Sequence, residues 1–395
     1  GASYDQEGLP DASYGSSRAT KLGKQLRAFA RAGAPDASAA LMRKQKSGSL
    51  SSSDRNKLNA YVAATFLASN RYSDALVVAE TVSAGGGSMT TNSEWIAGLA
   101  AFGLGQFDRA AQHFEAYSRT SNLSAQDYAA VNFWAARAYA RAEHPENSSA
   151  LLDRAASERA TFYGALAARQ TGRDIGDALV DAAINPDNFS SLMQIGAMHR
   201  AVASWQVGRR DIAEAELSRA FAQMPPELDV TFAAVARVLG FPTLELRAAE
   251  DAAFNGVYLT SLYPVPPYRP REGYSLDPAL ILAFARQESR FDTDAVSRSG
   301  ARGVMQLMPP TAALVTGDRS LSGRGKSRLD DPEFNMQLGQ AYLLRLLGDE
   351  GPSLFALAVA YNSGPGNLHR WMNAQGSSGD SLLFVESIRI GRAHV

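Results

Sequence analysis

From Ala19 onward the apolar residues return every three or four positions, the stretch is rich in alanine, and strand signals are few. That period restricts the chain to a mainly all-α fold, in which small residues let helices approach closely and aromatics fill the gaps. It predicts helices over residues 21–31, 53–69, 72–83, 94–104, 107–118, 125–142, 147–156, 160–171, 190–207 and 210–223. Turns are expected at Gly85-Gly86-Gly87, Gly103-Leu104-Gly105, His144-Pro145 and Gly208.

A faint repeat runs through this region. Asn70-Arg71-Tyr72-Ser73-Asp74-Ala75 is echoed by Gly105-Gln106-Phe107-Asp108-Arg109-Ala110, and more weakly by Gly208-Arg209-Arg210-Asp211-Ile212-Ala213. An aromatic followed three residues later by alanine, at a period of about 34 residues, suggests stacked helical hairpins of tetratricopeptide type. An irregular alanine-rich helical domain with accidental repeats is the alternative. Residues 1–18, rich in Gly, Ser, Asp and Tyr, are expected to be a flexible arm. An α-superhelix over 19–184 and a helical linker domain over 185–275 would come next. The Pro-rich run Tyr263-Pro264-Val265-Pro266-Pro267-Tyr268-Arg269-Pro270 reads as a stiff extended linker before a last domain over 276–395.

Composition removes several functions. The chain has 39 basic and 40 acidic residues, so no global field draws it to nucleic acid or acidic lipid. It has no cysteine, and its five histidines are scattered, so neither thiolate chemistry nor a metal site is expected, and no cofactor. No apolar run reaches the ~20 residues of a membrane helix. A start at Gly1-Ala2-Ser3 without methionine leads to the expectation of a mature or trimmed chain, with no signal peptide in view.

Chemistry concentrates between Asp277 and Pro309. Asp277 can cap a helix whose first residue is Pro278. Leu280, Ile281, Phe284 and Ala285 form its apolar stripe, and Glu288 projects from the same face. A carboxylate there must be paired, protonated or at work, and desolvation would raise its pKa towards that of a general acid. A glycine-punctuated loop comes after it, then Gly303-Val304-Met305-Gln306-Leu307-Met308-Pro309. Further on, Asp331-Pro332 opens another helix. A last apolar stripe, through Leu354, Leu357 and Ala358, ends on Tyr361 beside a turn. Taken alone, Tyr361 reads as a core aromatic with a satisfied hydroxyl.

The ordered segments ARQESRF, AVSRSGARGVMQLMPPTA, NMQLGQAYLLRLL and AVAYNSGPGNLHRW resemble the soluble lytic transglycosylases of bacterial cell-wall metabolism. The resemblance covers roughly Asp277 to Trp371, and more loosely Thr161–Arg169 and Tyr263–Pro266. It implies a goose-lysozyme-like catalytic domain after an α-superhelical ring. It also implies a periplasmic location and cleavage of the β-1,4 bond between N-acetylmuramic acid and N-acetylglucosamine. In that reaction the muramoyl 6-hydroxyl closes on its own anomeric carbon. Peptidoglycan strands are the implied partner, with cell-wall synthesis or secretion proteins as candidates for the helical domain.

Carried over by position, Glu288 matches the single catalytic acid/base and Ser289 a structural hydrogen-bonding serine. Ser297 matches the serine that helps place sugar or acid, and Gly300 and Gly303 the turn glycines. Met305, Gln306 and Met308 match groove-lining positions. Tyr361 matches the tyrosine whose hydroxyl lies close to the acid, Asn362 its neighbour, and Glu386 a groove glutamate. One acid can suffice, because an internal hydroxyl held in reach replaces the second reactant. Ordinary glycosidases need two carboxylates, roughly 5 Å apart for retention and 6.5–9.5 Å for inversion.

Two departures stand out. Asp292-Thr293-Asp294 replaces the family's usual Asn-Pro, and Arg389–Val395 replaces the proline, Glu-Thr pair and further helix usual there. The latter leads to the expectation of a missing segment or a truncated end. Two rival functions stay open: a lysozyme-type hydrolase that uses Asp292 or Asp294 to direct water, and a non-catalytic cell-wall binding scaffold.

Overall fold

The computed structural model describes residues 14–84, 91–174, 176–375 and 380–387. Among them the chain is all-α, and its only extended pairings are isolated bridges. Contacts divide it into two compact units: Gly1–Ile175 with Leu354–His394, and Gly176–Ser353. The first unit opens with α1 (Ser17–Ala32), α2 (Pro35–Arg43), α3 (Ser52–Leu67), α4 (Tyr72–Ala84), α5 (Thr91–Gly103), α6 (Phe107–Ser118), α7 (Ala125–Arg141), α8 (Pro145–Ala156) and α9 (Phe162–Gln170). The second holds α10 (Pro186–Met193), α11 (Gly196–Gln206), α12 (Arg210–Phe221), α13 (Asp229–Leu239), α14 (Pro242–Phe254), α15 (Pro278–Ser289), α16 (Pro309–Thr316) and α17 (Pro332–Glu350). The chain then returns to the first unit as α18 (Leu354–Ser363), α19 (Pro365–Gln375) and α20 (Ser381–Ser387).

In the first unit consecutive helices from α3 to α9 pack on one another, and α1/α3, α3/α5 and α7/α9 also touch, as stacked hairpins require. The faint repeat has a hydrogen-bonded cause. Asn70 and Gly105 both take left-handed backbone, with φ of 56° and 73°. Behind each, the next N–H reaches back five residues: Arg71 to the Phe66 carbonyl at 3.0 Å, Gln106 to that of Ala101 at 2.9 Å. This is the helix-ending motif in which a left-handed residue lets an N–H satisfy an orphan carbonyl. Ala75 and Ala110 then vanish into the core. The weak third copy keeps the device: Gly208 has φ 77°, and Arg209 donates to Ser204 at 2.9 Å.

Trp134 is the centre of this unit and is fully buried, with Phe102 at 5.2 Å, Phe114 at 5.9 Å, Trp95 at 6.3 Å and Tyr163 at 6.4 Å between ring centroids. Arg137 lies 4.6 Å over the Trp134 ring and pairs with Asp380 at 2.7 Å. Asp380 also caps α20, accepting from the Leu383 N–H at 3.0 Å, and Leu383 enters the core. Tyr163 hydrogen-bonds Glu386. These contacts are why residues after 353 group with the first unit, although the sequence suggested one domain over 276–395.

Several expected boundaries shift. Ser16 caps α1 by accepting from Ala19, so helix begins at Ser17, inside the expected arm; residues 1–13 lie outside the described residues. So do the glycines expected to turn at 85–87 and the chain from Ile388 onward, including the expected missing or truncated end. The expected helix over 190–207 is two, because Ile195 is extended at φ −80°, ψ 113°. Helices α2, α14 and α16 were not foreseen, and each starts on a proline: Pro35, Pro242 and Pro309. Proline breaks a helix interior but suits its first turn, where no N–H partner is needed.

The second unit packs α11 on α12 and α13 on α14 around Met198, Leu217 and Phe232. Its Pro-rich run is extended but not free. Pro264, Pro266 and Pro270 are buried, the Tyr268 hydroxyl donates to the Phe291 carbonyl at 3.1 Å, and Arg286 Nε donates to the Leu262 carbonyl at 2.8 Å. The run therefore lies fixed against the end of α15.

One substitution tests the stacking directly. A Cβ added at Gly98 would sit 2.6 Å from the Phe114 ring. Helix propensity alone would make Gly98→Ala stabilising by about 0.5–1 kcal/mol. The clash should reverse that sign and cost about 1–3 kcal/mol in denaturant unfolding.

Candidate active site

Helix α15 begins as the sequence predicts: Asp277 accepts from the Ala279 N–H at 2.9 Å and Pro278 takes the first position. Ile281 and Ala285 are fully buried, and Glu288 sits half-buried one turn beyond. Among the described residues Glu288 makes no hydrogen bond or ion pair. Burial alone pushes its carboxyl up to about 7. A carboxyl in that range is protonated in part at neutral pH and can both give and take a proton.

The chain reverses immediately after Glu288. Arg290 and Phe291 both have left-handed backbone, φ 55° and 67°. A bulky residue such as phenylalanine rarely adopts it. The strain is held by burial of the Phe291 ring and by the Tyr268 hydroxyl on its carbonyl. Ser289 ties this reversal to the glycine-rich segment after it, the hydroxyl donating to the Val304 carbonyl at 2.8 Å.

The glycine-rich segment is a tight double turn, bridged at Val296–Arg302 and Arg302–Leu307. Ser297 shapes its tip: the hydroxyl accepts from the Ala301 N–H at 3.0 Å, and Gly300 turns at φ 88°. Gly303 has φ 71°, and a Cβ there would meet the Leu329 carbonyl oxygen at 2.4 Å and Asn335 Nδ2 at 2.5 Å. Only glycine fits both the angle and the space. Gln306, at φ 45°, donates its side-chain amide to the carbonyls of Ala295 and Gly303, both at 3.0 Å.

Asn335 on α17, fully buried, locks the turn from below. It accepts from the Met305 N–H at 2.8 Å and donates to the carbonyls of Arg302 and Leu329, each at 2.9 Å. Sequence reasoning passed over it. The available signal was an amide within Asn335-Met336-Gln337-Leu338-Gly339-Gln340, where Gln340 is also buried and binds Gly273 and Ser275 in the same manner.

The second unit thus brings together Glu288, Ser289, Ser297, Gly303, Met305, Gln306 and Met308, with roles that differ from those expected. Met305 is a correction: it is fully buried, under Gly339, where an added Cβ would come within 2.7 Å of its methyl. It packs the core beneath the turn and lines no groove. Met308 is 37% exposed at the start of α16. Ser297 spends its oxygen on the backbone, and the Gln306 nitrogen does the same. Tyr361 and Asn362 lie near the end of α18 and Glu386 on α20, all in the first unit. Burial raises the Glu386 carboxyl, while its bond from Tyr163 acts the other way.

Asp292 and Asp294 are exposed, and Asp292 accepts from the Asp294 N–H at 2.9 Å in a local turn. Their charge falls elsewhere: both help to raise the carboxyl of Glu214, and Asp292 that of the Tyr268 phenol. Neither contributes to the shift at Glu288.

The profile of the transglycosylase SLT domain matches residues 269–384. The soluble lytic murein transglycosylase of Salmonella typhimurium is 35% identical over 117 residues, 29% of this chain and 18% of that protein. A structure of an inactive variant of lytic transglycosylase Slt from Pseudomonas aeruginosa superposes with a TM-score of 0.76 at 22% identity, covering 95% of this chain and 61% of that one. The 70 kDa soluble lytic transglycosylase of Escherichia coli gives 0.71 at 22% identity, covering 93% and 58%. The chain therefore spans less than two thirds of the length of these relatives, with which it shares the all-α fold. The segment that carries Glu288 and its supporting turn is thus the part of the chain that matches the transglycosylase SLT domain.

Proposed function

We propose that the chain is a periplasmic peptidoglycan lytic transglycosylase with Glu288 as sole general acid/base. The observation that carries this is one half-buried carboxyl, raised to about 7, without a second carboxylate among the described residues acting on it. Protonated Glu288 gives its proton to the oxygen leaving between N-acetylmuramic acid and N-acetylglucosamine. The resulting carboxylate takes the proton of the muramoyl 6-hydroxyl as that oxygen bonds to the anomeric carbon. The proton count closes, no water enters, and the product ends in 1,6-anhydro-N-acetylmuramic acid. Gln306 and Met308, at the rim of the turn, are candidate glycan contacts, as are Tyr361, Asn362 and Glu386 in the other unit. The helical array is the candidate surface for cell-wall synthesis or secretion proteins.

A hydrolase would need Asp292 or Asp294 to activate water. Both are exposed, and their charge is felt at Glu214 rather than at Glu288. The non-catalytic scaffold has no use for a carboxyl kept buried at this cost. Mass spectrometry of digested sacculi separates the three: we expect muropeptides lighter by one water than lysozyme products. Reducing ends would establish the hydrolase. Equal behaviour of wild type and Glu288→Gln would establish the scaffold. Glu288→Gln should lower turnover by about 10²–10⁴-fold.

A stability measurement checks the same group without substrate. The Glu288 pKa rises from 4.5 unfolded to about 7 folded, so the wild type loses stability as pH climbs between these values. Glu288→Gln should match it near pH 4 and exceed it at pH 8 by on the order of 2 kcal/mol, allowing for partial exposure. Activity, which starts from the protonated acid, should fall as pH rises through about 7.

A further inference from the structure

The end of α15 is gripped by residues that come before the matched segment in the chain. Glu250 on α14, Leu262 and Tyr268 all precede residue 269, and each holds the last turn of α15 or the reversal after it. Glu250 pairs with Arg290 and lies 4.0 Å from Arg286. Arg286 Nε donates to the Leu262 carbonyl at 2.8 Å, and its guanidinium lies 5.5 Å from the centre of the Tyr263 ring. Arg286 stands two residues before Glu288, so on the helix it faces away from the acid. The grip therefore holds α15 from behind, and no cation enters the shift at Glu288. The third hold lies where the backbone is strained. The Arg290 N–H closes α15 on the Arg286 carbonyl at 2.9 Å, and the Asp292 N–H takes the Ser289 carbonyl at 3.1 Å. Between them Phe291, buried and left-handed at φ 67°, has a carbonyl that no backbone N–H among the described residues meets. The Tyr268 hydroxyl, donating at 3.1 Å, is its hydrogen-bond partner.

We infer that Tyr268 is a positioning residue of the proposed reaction: its hydroxyl, bonded to the Phe291 carbonyl, holds the strained reversal three residues after Glu288 and so fixes where the acid's carboxyl stands. The inference deepens the reading of Glu288 as the acid and rests on it. A left-handed phenylalanine persists only where its surroundings impose it. Without the hydroxyl, the Phe291 carbonyl would be left buried and unsatisfied, and the reversal would relax to bring it a new partner. The last turn of α15 would move with it, and Glu288 lies in that turn. The hold is also constant in the range that matters. Burial first, then Glu214 and Asp292, raise the Tyr268 phenol, so it keeps its proton and goes on donating while Glu288 titrates. Tyr268 thus acts on the acid through geometry and touches neither its carboxyl nor its charge.

The test compares the full chain with Tyr268→Phe, which keeps the ring and removes only the donor, and with Tyr263→Phe, which removes the hydroxyl of a neighbouring exposed tyrosine. Glu288 is titrated by NMR at glutamate Cδ, and turnover of solubilised peptidoglycan strands is measured across pH with kcat and KM separated. Tyr268→Phe should lower the Glu288 midpoint from about 7 to about 6, as a loosened helix end admits water. The pH profile of turnover should move with it, and kcat should fall about 10–100-fold at nearly constant KM. Tyr263→Phe should match the wild type. A lower unfolding midpoint with the titration and kcat of the wild type would reduce the bond to packing and overturn the inference. A rise in KM at constant kcat, or an equal effect of Tyr263→Phe, would overturn it too. A wild type that makes no anhydro product would sink the proposed reaction, while the Glu288 titration, which needs no substrate, still decides the role of Tyr268.

Discussion

The desolvation of one carboxyl sets the terms for the second unit. Glu288 stands on the apolar face of α15 with no counter-charge among the described residues, so that burial raises its carboxyl to about 7 and part of it stays neutral at neutral pH. A group in that position cannot hold itself in place. The surrounding chain does so instead, through the left-handed pair Arg290-Phe291, the Ser289 bond to Val304 and the Asn335 brace under Met305. Polar side chains of the turn are mostly spent on backbone. This keeps the turn beside Glu288 rigid.

Much of this was legible in the residues. The apolar stripe through Ile281 and Ala285 placed Glu288 correctly on its helix face, since helical spacing alone decides which residues share a face. The repeat at Asn70 and Gly105 pointed to equivalent turns 35 residues apart, because the left-handed position asks for Asn or Gly and the core position beyond it for a small residue. Gly303 was marked as a turn glycine, and its φ of 71° and closed surroundings supply the reason.

The rest depends on partners remote in sequence. Met305 matched a groove position by motif, yet its burial is decided by Gly339, whose missing side chain leaves it room. Asn335 looks like an ordinary helix residue until the carbonyls of Arg302 and Leu329 are brought to it. The helices that start at Pro35, Pro242 and Pro309 escaped the sequence reading because local pattern does not separate a helix start from a helix end without the cap geometry. The pairing of Arg137 with Asp380 joins residues 243 apart, beyond any local rule. It draws the last helices of the transglycosylase SLT segment into the helical array of the first unit, and a domain boundary drawn from composition could not anticipate that.

The proposed chemistry depends above all on the protonation state of Glu288. Carbon-detected NMR of the chain labelled at glutamate Cδ, titrated from pH 4 to 9 and assigned with Glu288→Gln, reads that state directly. A midpoint near 7, well separated from the exposed glutamates, is the predicted result. A midpoint near 4.5 would contradict it, since a carboxyl ionised throughout neutral pH could not begin the reaction as its acid.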